Sequence, residues 1–551
     1  MSKNISELSG RKGLKENLFD ELGKLSQDTG TVPKEKLQKL ADDFLIGVAN
    51  TYGTTTFYDF LKPENQGKKV YVCNGSVCHC AGTQDSLKEN LKTHFSESEI
   101  GEMCCLGRCH ENSAFQFNGN NYSAKNTDEL AEIVRSGAPA TDTYNVRSIG
   151  EPVLTRAVKG IDYYKELLTK VFQAEKESVL KEIKDSNLRG RGGAGFPIGM
   201  KLGFCKAEDN DTKFVICNAD EGDPGAFTDR FLLEQRPLEV LLGMVIAGYV
   251  IGADWGVVYI RGEYPESVSI IEAAIEDLSN SGLIGDGILG TDNNFHFKVI
   301  RAQGSYICGE ETALINSIEG QRPEVRVRPP YPAQQGLFNK PTVVNNVETL
   351  ASIPYILEHG GTAFASRGTE KSSGTKLVSL DSHFNEPGVI EADMGTSMKT
   401  IIHDYGGGYR VPVKALHIGG PLGGMVPSSM VDNLSLDFES FRDSGFLLGH
   451  ASVICIPEDF PLVDYLEHLF EFAADESCGK CFPCRLGTKR AEELLHKASH
   501  DGYKISRELF DDLLDTLELG SLCAHGGGIP LPVKNALEHF DSELSVYFEN
   551  N

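Results

Sequence analysis

Between residues 13 and 60 the apolar positions recur at helical spacing. Leu37, Leu40, Phe44 and Leu45 fall on one face, and Pro33 stands where a first helical turn accepts proline. This pattern predicts a helical bundle over residues 1–68. From Lys69 the period shortens to two: Val70-Tyr71-Val72 reads as a strand running into Cys73, with a helix over Asp85–His94 behind it. Residues 136–150 (SGAPATDTYNVRSIG) have no period and read as a linker. Beyond them a charged helix is expected over Ala174–Asn187. Strand-like runs at Phe214–Cys217, Val257–Ile260 and Phe297–Ile300 then alternate with helical ones, which is the pattern of an α/β layer. The longest apolar run, Val240–Gly252, is interrupted by glycines and falls well short of the ~20 residues a membrane span needs, so it reads as a buried helix. Thr375–Gly424 suggests a small strand-rich unit broken at Asn385–Gly388 and Gly406–Gly408, and the chain returns to helices near its C-terminus.

A length of 551 residues is too great for one core and calls for several domains. The net charge of −26 argues against nucleic acid and anionic membranes as partners, since both need a basic face. The opening MSKNISELSGRKGLKENL has no apolar signal region, so a cytoplasmic location is expected. In that compartment fourteen cysteines point to metal binding rather than to a disulfide framework.

Three stretches carry candidate chemistry. Leu188–Lys201 (LRGRGGAGFPIGMK) fits G-x-G-x-x-G at Gly190, Gly192 and Gly195, so its backbone can approach a phosphate closely. A Rossmann fingerprint follows a strand, however, and here a helix precedes, so a different phosphate-bearing cofactor is indicated. Cys73 and Cys78, with Cys105 and Cys109 a helix later, suit either zinc or a 2Fe-2S cluster. Cys478, Cys481 and Cys484 in tandem C-x-x-C spacing, with the distant Cys523, form the ligand pattern of a 4Fe-4S cluster. The other six cysteines, Cys80, Cys104, Cys205, Cys217, Cys308 and Cys455, read as buried thiols. At expected strand ends, Asn218-Ala219-Asp220-Glu221-Gly222-Asp223 and Tyr306-Ile307-Cys308-Gly309-Glu310-Glu311 offer acceptors for sugar or ribityl hydroxyls, while Lys201 and the glycine amides are left for phosphate.

With these residues in hand, 150–545 resemble the NADH-binding flavoprotein subunit of respiratory complex I and its relatives in soluble NAD-linked hydrogenases and formate dehydrogenases. LRGRGGAGFP, CNADEGDPGAF, YICGEETAL, VVNNVETL and ESCGKCFPCRLGT stand in the family's order. Residues 28–140 resemble that flavoprotein's small partner through GTVPKEKLQKLADDF, TTTFYDF, CNGSVC and CLGRC. The resemblance implies an α/β multidomain protein. It comprises the helical bundle (1–68), a thioredoxin-like 2Fe-2S domain (69–140), a Rossmann-like FMN and NAD domain (141–365), a β-grasp-like domain (366–445) and a helical 4Fe-4S domain (446–551).

It further implies that Gly190, Arg191, Gly192 and Lys201 hold FMN, helped by Asn218, Asp220, Glu221, Tyr306, Gly309, Glu310, Asn345, Asn346 and Thr349. Phe196, Phe204 and Tyr331 would border the adenine and nicotinamide, and Glu311 would lie near the nicotinamide ribose. FMN would carry the hydride chemistry, so no side-chain acid or base is required. Two positions depart from many relatives: Asp223 replaces glutamate and Arg328 replaces lysine. Arg328 with Arg326 could meet a 2′-phosphate, which raises NADP as an alternative to NAD(H). The expected function is a diaphorase subunit exchanging electrons between NAD(H) and a partner hydrogenase or formate dehydrogenase. A complex I module and an iron–sulfur relay without pyridine-nucleotide chemistry are the competing readings.

Overall fold

The computed structural model describes residues 10–11, 13–14, 16–29, 33–124, 126–139 and 144–549. Gly30–Val32 of the first N-terminal motif and positions 140–143 of the expected linker lie outside the described residues. Three sheets organise the rest.

The first sheet contains β1 (Val70–Cys73), β2 (Ile100–Met103), β3 (Ala114–Phe117) and β4 (Asn120–Ser123) in the order β2-β1-β3-β4. β1 and β2 are parallel, with Cys73 opposite Met103. That register brings the loops leaving both strands to one end of the sheet, and each loop carries cysteines. The helix expected at Asp85–His94 forms as Gln84–Leu91.

After β5 (Val146–Ile149), the second sheet is wholly parallel: β6 (Phe214–Ala219), β7 (Trp255–Ile260), β8 (His296–Arg301) and β9 (Thr342–Asn346), in the order β8-β7-β6-β9. Alternate side chains serve two cores. Val215, Cys217, Val258 and Ile260 pack on the buried helix Pro237–Ile251. Phe214, Ile216, Val257 and Tyr259 pack instead with Leu18, Phe19, Leu22, Leu37 and Phe44 from the N-terminal helices.

The N-terminal helices therefore pack onto the parallel sheet. Helices Leu18–Thr29 and Lys34–Phe44 share a core with the parallel sheet, because such a sheet must be covered on both faces. Leu45 leaves the predicted apolar face. It ends its helix in the left-handed conformation (φ 57°) and is exposed, while Ala41 joins the buried set. On the other side of the sheet, Gly243 lets helix Pro237–Ile251 cross Val347–His359 closely, since a Cβ there would lie 2.0 Å from the Leu350 carbonyl oxygen. A side chain at this crossing would force the helices apart at a cost of about 1–3 kcal/mol.

The third sheet adds β10 (Thr375–Leu380), β11 (Gly388–Asp393), β12 (Val413–Ile418), β13 (Gly424–Pro427) and β14 (Ser452–Pro457), in the order β13-β12-β14-β10-β11-β5. A boundary pair at 366 and 445 does not match this sheet. β14, buried at every position, is an interior strand between β10 and β12, and β5 closes the edge beside β11.

The C-terminal region is helical as expected. Leu462–Asp475 and Phe482–His500 form a hairpin packed with Arg507–Gly520 and Pro530–His539. Among the described residues no helix is long and apolar enough to cross a membrane.

Candidate flavin and iron–sulfur sites

The glycine-rich loop joins helix Lys176–Asp185 to helix Ile198–Ala207, so no strand precedes it. It closes on itself: Gly190 N–H donates to the Phe196 carbonyl (2.9 Å) and Ile198 N–H to Leu188 (3.0 Å). Gly193 (φ 114°) and Gly195 (φ 62°) take the positive φ values that the turn requires. Gly192 lies so close to the end of β9 that a Cβ would stand 3.0 Å from Asn346 Cβ.

The two arginines of the loop diverge. Arg189 folds back to the Gly195 carbonyl (2.7 Å) and pairs with Glu439 (2.8 Å) over the Phe438 ring. Arg191 is fully buried. Its backbone N–H donates to Thr349 Oγ1 (2.9 Å) and Nη2 donates to the Ser373 carbonyl, but Nε and Nη1 have no partner. Burial lowers its pKa to about 10, against the opposing pull of Glu348, so it remains cationic at neutral pH. Unpaired donors on a buried cation are costly, and an anionic ligand group would satisfy them.

Parallel pairing of β6 with β9 sets Asn218 opposite Asn346, which gathers Asn218, Asp220, Asn345 and Asn346 at the carboxyl edge of the sheet. Ligands bind at that edge in open α/β sheets. Asn218 Nδ2 donates to the Gly309 carbonyl (2.8 Å), and Asn346 caps helix Val347–His359 while donating to Asp229 (2.6 Å). Asn345 Nδ2 and Asp220 Oδ2 are buried without partners, and burial holds the Asp220 carboxyl well above its usual range. Lys201 Nζ donates to the Val344 carbonyl (2.9 Å) and lies 3.4 Å from Glu311. Arg328 meets the same carboxylate at 3.2 Å, and Glu310 at 3.8 Å. Phe196, Met200 and Phe204, at four-residue spacing, are all exposed, as is Tyr331.

Two of the expected cofactor residues, Glu221 and Glu310, make hydrogen bonds within the protein. Both carboxylate oxygens of Glu221 are spent inside the protein: they accept from Asp229 N–H (2.8 Å), Arg230 N–H (3.0 Å), Tyr264 OH (3.2 Å) and His450 Nε2 (3.2 Å). Glu221 therefore caps helix Thr228–Gln235. Glu310 similarly caps Glu311–Ile318 through the N–H groups of Thr312 and Ala313 (both 2.9 Å). Asp223 and Tyr306 are hydrogen-bonded, and Asp223 packs against Gly420. Tyr306 also reaches the C-terminal helices: its N–H donates to Glu476 (2.7 Å) and its ring meets Phe472 edge-on at 5.0 Å.

Cys73, Cys78, Cys105 and Cys109 are all buried, with the Cys105 and Cys109 sulfurs 3.3 Å apart. Hydrogen bonds from Cys109 and Cys73 hold Cys105 below the ordinary thiol range, and Arg261 adds to the effect. Cys80 instead joins the C-terminal helical core. Cys104 lies beside the site, since a Cβ on Gly75 would stand 3.5 Å from its sulfur and from that of Cys73.

In the second set, Cys478 and Cys481 occupy the hairpin loop, and Cys484 sits in the first turn of the following helix, opposite Cys523. Gly526 permits this approach, because a Cβ there would meet Cys484 Cβ at 2.7 Å. Burial pushes Cys484 up to about 11 and Cys523 up to about 12, so a metal must displace their protons to bind. Arg322 donates to the Cys478 carbonyl (3.3 Å) and lies over the Phe57 ring (4.7 Å), while Lys480 donates to Val325 (2.7 Å). Neither Arg322 nor His450 belongs to a metal or phosphate motif, so nothing in the sequence singled them out.

Comparison with known proteins bears on the whole constellation. Residues 183–355 match the family model described as the Nuo51 FMN-binding domain. Residues 464–547 match the NADH-ubiquinone oxidoreductase-F iron-sulfur binding region, and residues 5–138 match the thioredoxin-like [2Fe-2S] ferredoxin. The chain is 39% identical over 388 residues to the NADP-reducing hydrogenase subunit HndC of Solidesulfovibrio fructosivorans, covering 70% of this chain and 79% of that one. It is 32% identical over 562 residues to the NAD-reducing hydrogenase HoxS subunit alpha of Cupriavidus necator, covering 95% and 90%. The chain belongs to the family of NADH-dependent FMN flavoprotein subunits.

The fold of this flavoprotein also matches a chain of an NAD+-reducing [NiFe]-hydrogenase crystal structure in the H2-reduced state. The TM-score is 0.85 at 28% identity, over 98% of this chain and 95% of the other. The open choice at the N-terminal cysteines is thereby resolved for a 2Fe-2S domain, and the C-terminal helices form the 4Fe-4S region. The flavoprotein is an NADH-dependent FMN oxidoreductase subunit that feeds electrons through iron–sulfur clusters, so the reading as a relay without pyridine-nucleotide chemistry is set aside.

Proposed function

We propose that the flavoprotein is the diaphorase subunit of a multi-subunit hydrogenase or formate dehydrogenase. The observation that carries this reading is the alignment with the HoxS alpha subunit over 95% of the chain, a span that takes in both the [2Fe-2S] and the FMN regions. The six-stranded sheet is the counterpart of the β-grasp-like unit that the family resemblance implies.

FMN, when bound, supplies the conversion between a two-electron hydride and single electrons. This chain's part is to bind and orient. Gly190, Gly192, Lys201 and the unpartnered Nε and Nη1 of Arg191 fit the phosphate end. Asn218, Asp220, Asn345, Asn346, Tyr306, Gly309 and Thr349 lie on the same strand-end surface, where Asn345 and Asp220 offer the unpaired buried atoms. Phe196, Phe204 and Tyr331 form an exposed aromatic border suited to a dinucleotide, with Glu311 and Asp223 as its polar residues.

We infer a preference for NAD(H). Arg326 is spent on Asn316 (2.7 Å), Gly336 (3.1 Å) and Glu319 (2.8 Å), and Arg328 Nη1 is drawn to the Glu311 carboxylate (3.2 Å), which sets an acid beside the one arginine of the pair left to meet a 2′-phosphate.

Electrons leave at the C-terminal cysteines, where Phe482, Leu486, Leu519 and Leu522 form an exposed apolar rim, with Gly520 touching Pro483. Such a rim fits a docked iron–sulfur subunit. Anaerobic purification with partner identification by mass, combined with dye-reduction rates for NADH and NADPH, tests the reading. A chain without flavin, or one faster with NADPH, would refute it.

A further inference from the structure

A third metal-ligand arrangement lies outside both cysteine sets. His496 and His500 lie four residues apart near the end of helix Phe482–His500, so their rings project from one helix face. The rings stack with centroids 4.4 Å apart. Across the hairpin, Glu467 in helix Leu462–Asp475 presents its carboxylate to both: Oε1 lies 2.7 Å from His496 Nδ1, and Oε2 lies 3.8 Å from His500 Nδ1. One ligand atom from each residue falls within 4.8 Å of the other two. Both histidines are open to solvent, at 57% and 56% side-chain exposure, so an ion can enter without local unfolding.

We propose that Glu467, His496 and His500 form a divalent transition-metal site, best suited to zinc, that clamps the two helices of the cluster-bearing hairpin. Two imidazoles and one carboxylate are a known zinc ligand set with a coordination position left open. The hydrogen bond between His496 and Glu467 is the arrangement with a proton where the metal would sit. Zinc displaces that proton, and the ligands part by a few tenths of an ångström, to roughly the separation set by metal–ligand bonds of about 2.0–2.2 Å. His500 Nδ1 also lies 3.1 Å from the His496 carbonyl, and this weaker contact has to yield.

A contrasting trio shows why proximity alone is not enough. Glu221, Asp229 and His450 are equally close, but the Glu221 oxygens already accept backbone N–H and tyrosine donors. Among the described residues the Glu467 carboxylate meets only the two imidazoles.

His496 is twelve positions along the helix from Cys484, or about 18 Å at 1.5 Å per residue, so zinc held here leaves the cysteine ligands untouched. The clamp acts at the end of the hairpin remote from its loop and stiffens the frame that carries Cys478 and Cys481. Two histidines in a last turn also complement the helix dipole, but that role needs neither Glu467 nor a metal.

The test uses the anaerobically purified full chain with its flavin and clusters in place. Zinc is titrated calorimetrically at about pH 8, above the ordinary imidazole range, into wild type, His496→Gln/His500→Gln and Glu467→Gln. One zinc per chain is expected, with affinity falling by at least about 10–100-fold in the double variant, the loss that even outer-sphere changes produce. Zinc should raise the melting temperature of the wild type and not of the double variant, with the cluster EPR spectra unchanged in both. Equal zinc affinity in all three proteins, absence of binding to the wild type, or a change in the cluster spectra on zinc addition would overturn the proposal.

Discussion

Cys73, Cys78, Cys105 and Cys109 are sealed by protein on every side, whereas Cys481 and Cys523 reach the surface beside Phe482, which is 75% exposed, and Leu486, at 60%. The first site owes its burial to the flavin domain. Arg261 donates to the Cys104 carbonyl (3.0 Å), Asn121 donates to the Glu263 carbonyl (2.6 Å), and a Cβ on Gly107 would meet Tyr264 at 2.6 Å. The second site is tied to the flavin side through Tyr306–Glu476 and Arg322, yet its outer rim is apolar and bare. Charge held in the first pocket is insulated within the chain. The second lies at the surface, which is the ground for proposing it as the exit.

The largest effects should come from breaking each site alone. Cys484→Ala should abolish the 4Fe-4S EPR signal and partner reduction while flavin content and the 2Fe-2S signal persist, and Cys105→Ala should do the converse. Lys201→Ala or Gly192→Val should lose most of the FMN, measured by fluorescence after denaturation, with iron content retained. Phe482→Asp should leave NADH-driven dye reduction near wild type but weaken partner co-purification by tenfold or more, about 1.4 kcal/mol or greater, because a charge on the rim is desolvated on docking. Arg322→Gln removes a cation beside the Cys478 loop. It should lower the 4Fe-4S midpoint potential by on the order of tens of millivolts, read by redox-poised EPR, without shifting the 2Fe-2S potential. The smallest difference is kinetic: an iron chelator should bleach the exposed cluster before the sealed one.

Much of this was legible in the chain. The cysteine spacings marked both metal sites, the run from Val240 marked the buried helix, and the helix before Gly190 correctly ruled out a Rossmann turn. Other features depend on partners distant in sequence. Glu221 looked like a ligand because strand-end carboxylates often are, but Tyr264 and His450 converge on it only after folding. The strand at 452–457 lies beyond the boundary at 445 that the resemblance implies, although the sheet closes through it. The N-terminal helices show the pattern of a bundle, and only the uncovered face of β6–β8 explains where their apolar side goes.

The most direct measurement is EPR of the anaerobically purified chain, with flavin and iron quantified, before and after stoichiometric NADH. The expected result is one FMN, iron for one 2Fe-2S and one 4Fe-4S cluster, and an NADH-induced 4Fe-4S signal that partner protein discharges. A chain whose 4Fe-4S cluster stays oxidised under NADH, or whose reduced cluster is not discharged by the partner while the sealed 2Fe-2S cluster is, would contradict the assignment of the exit.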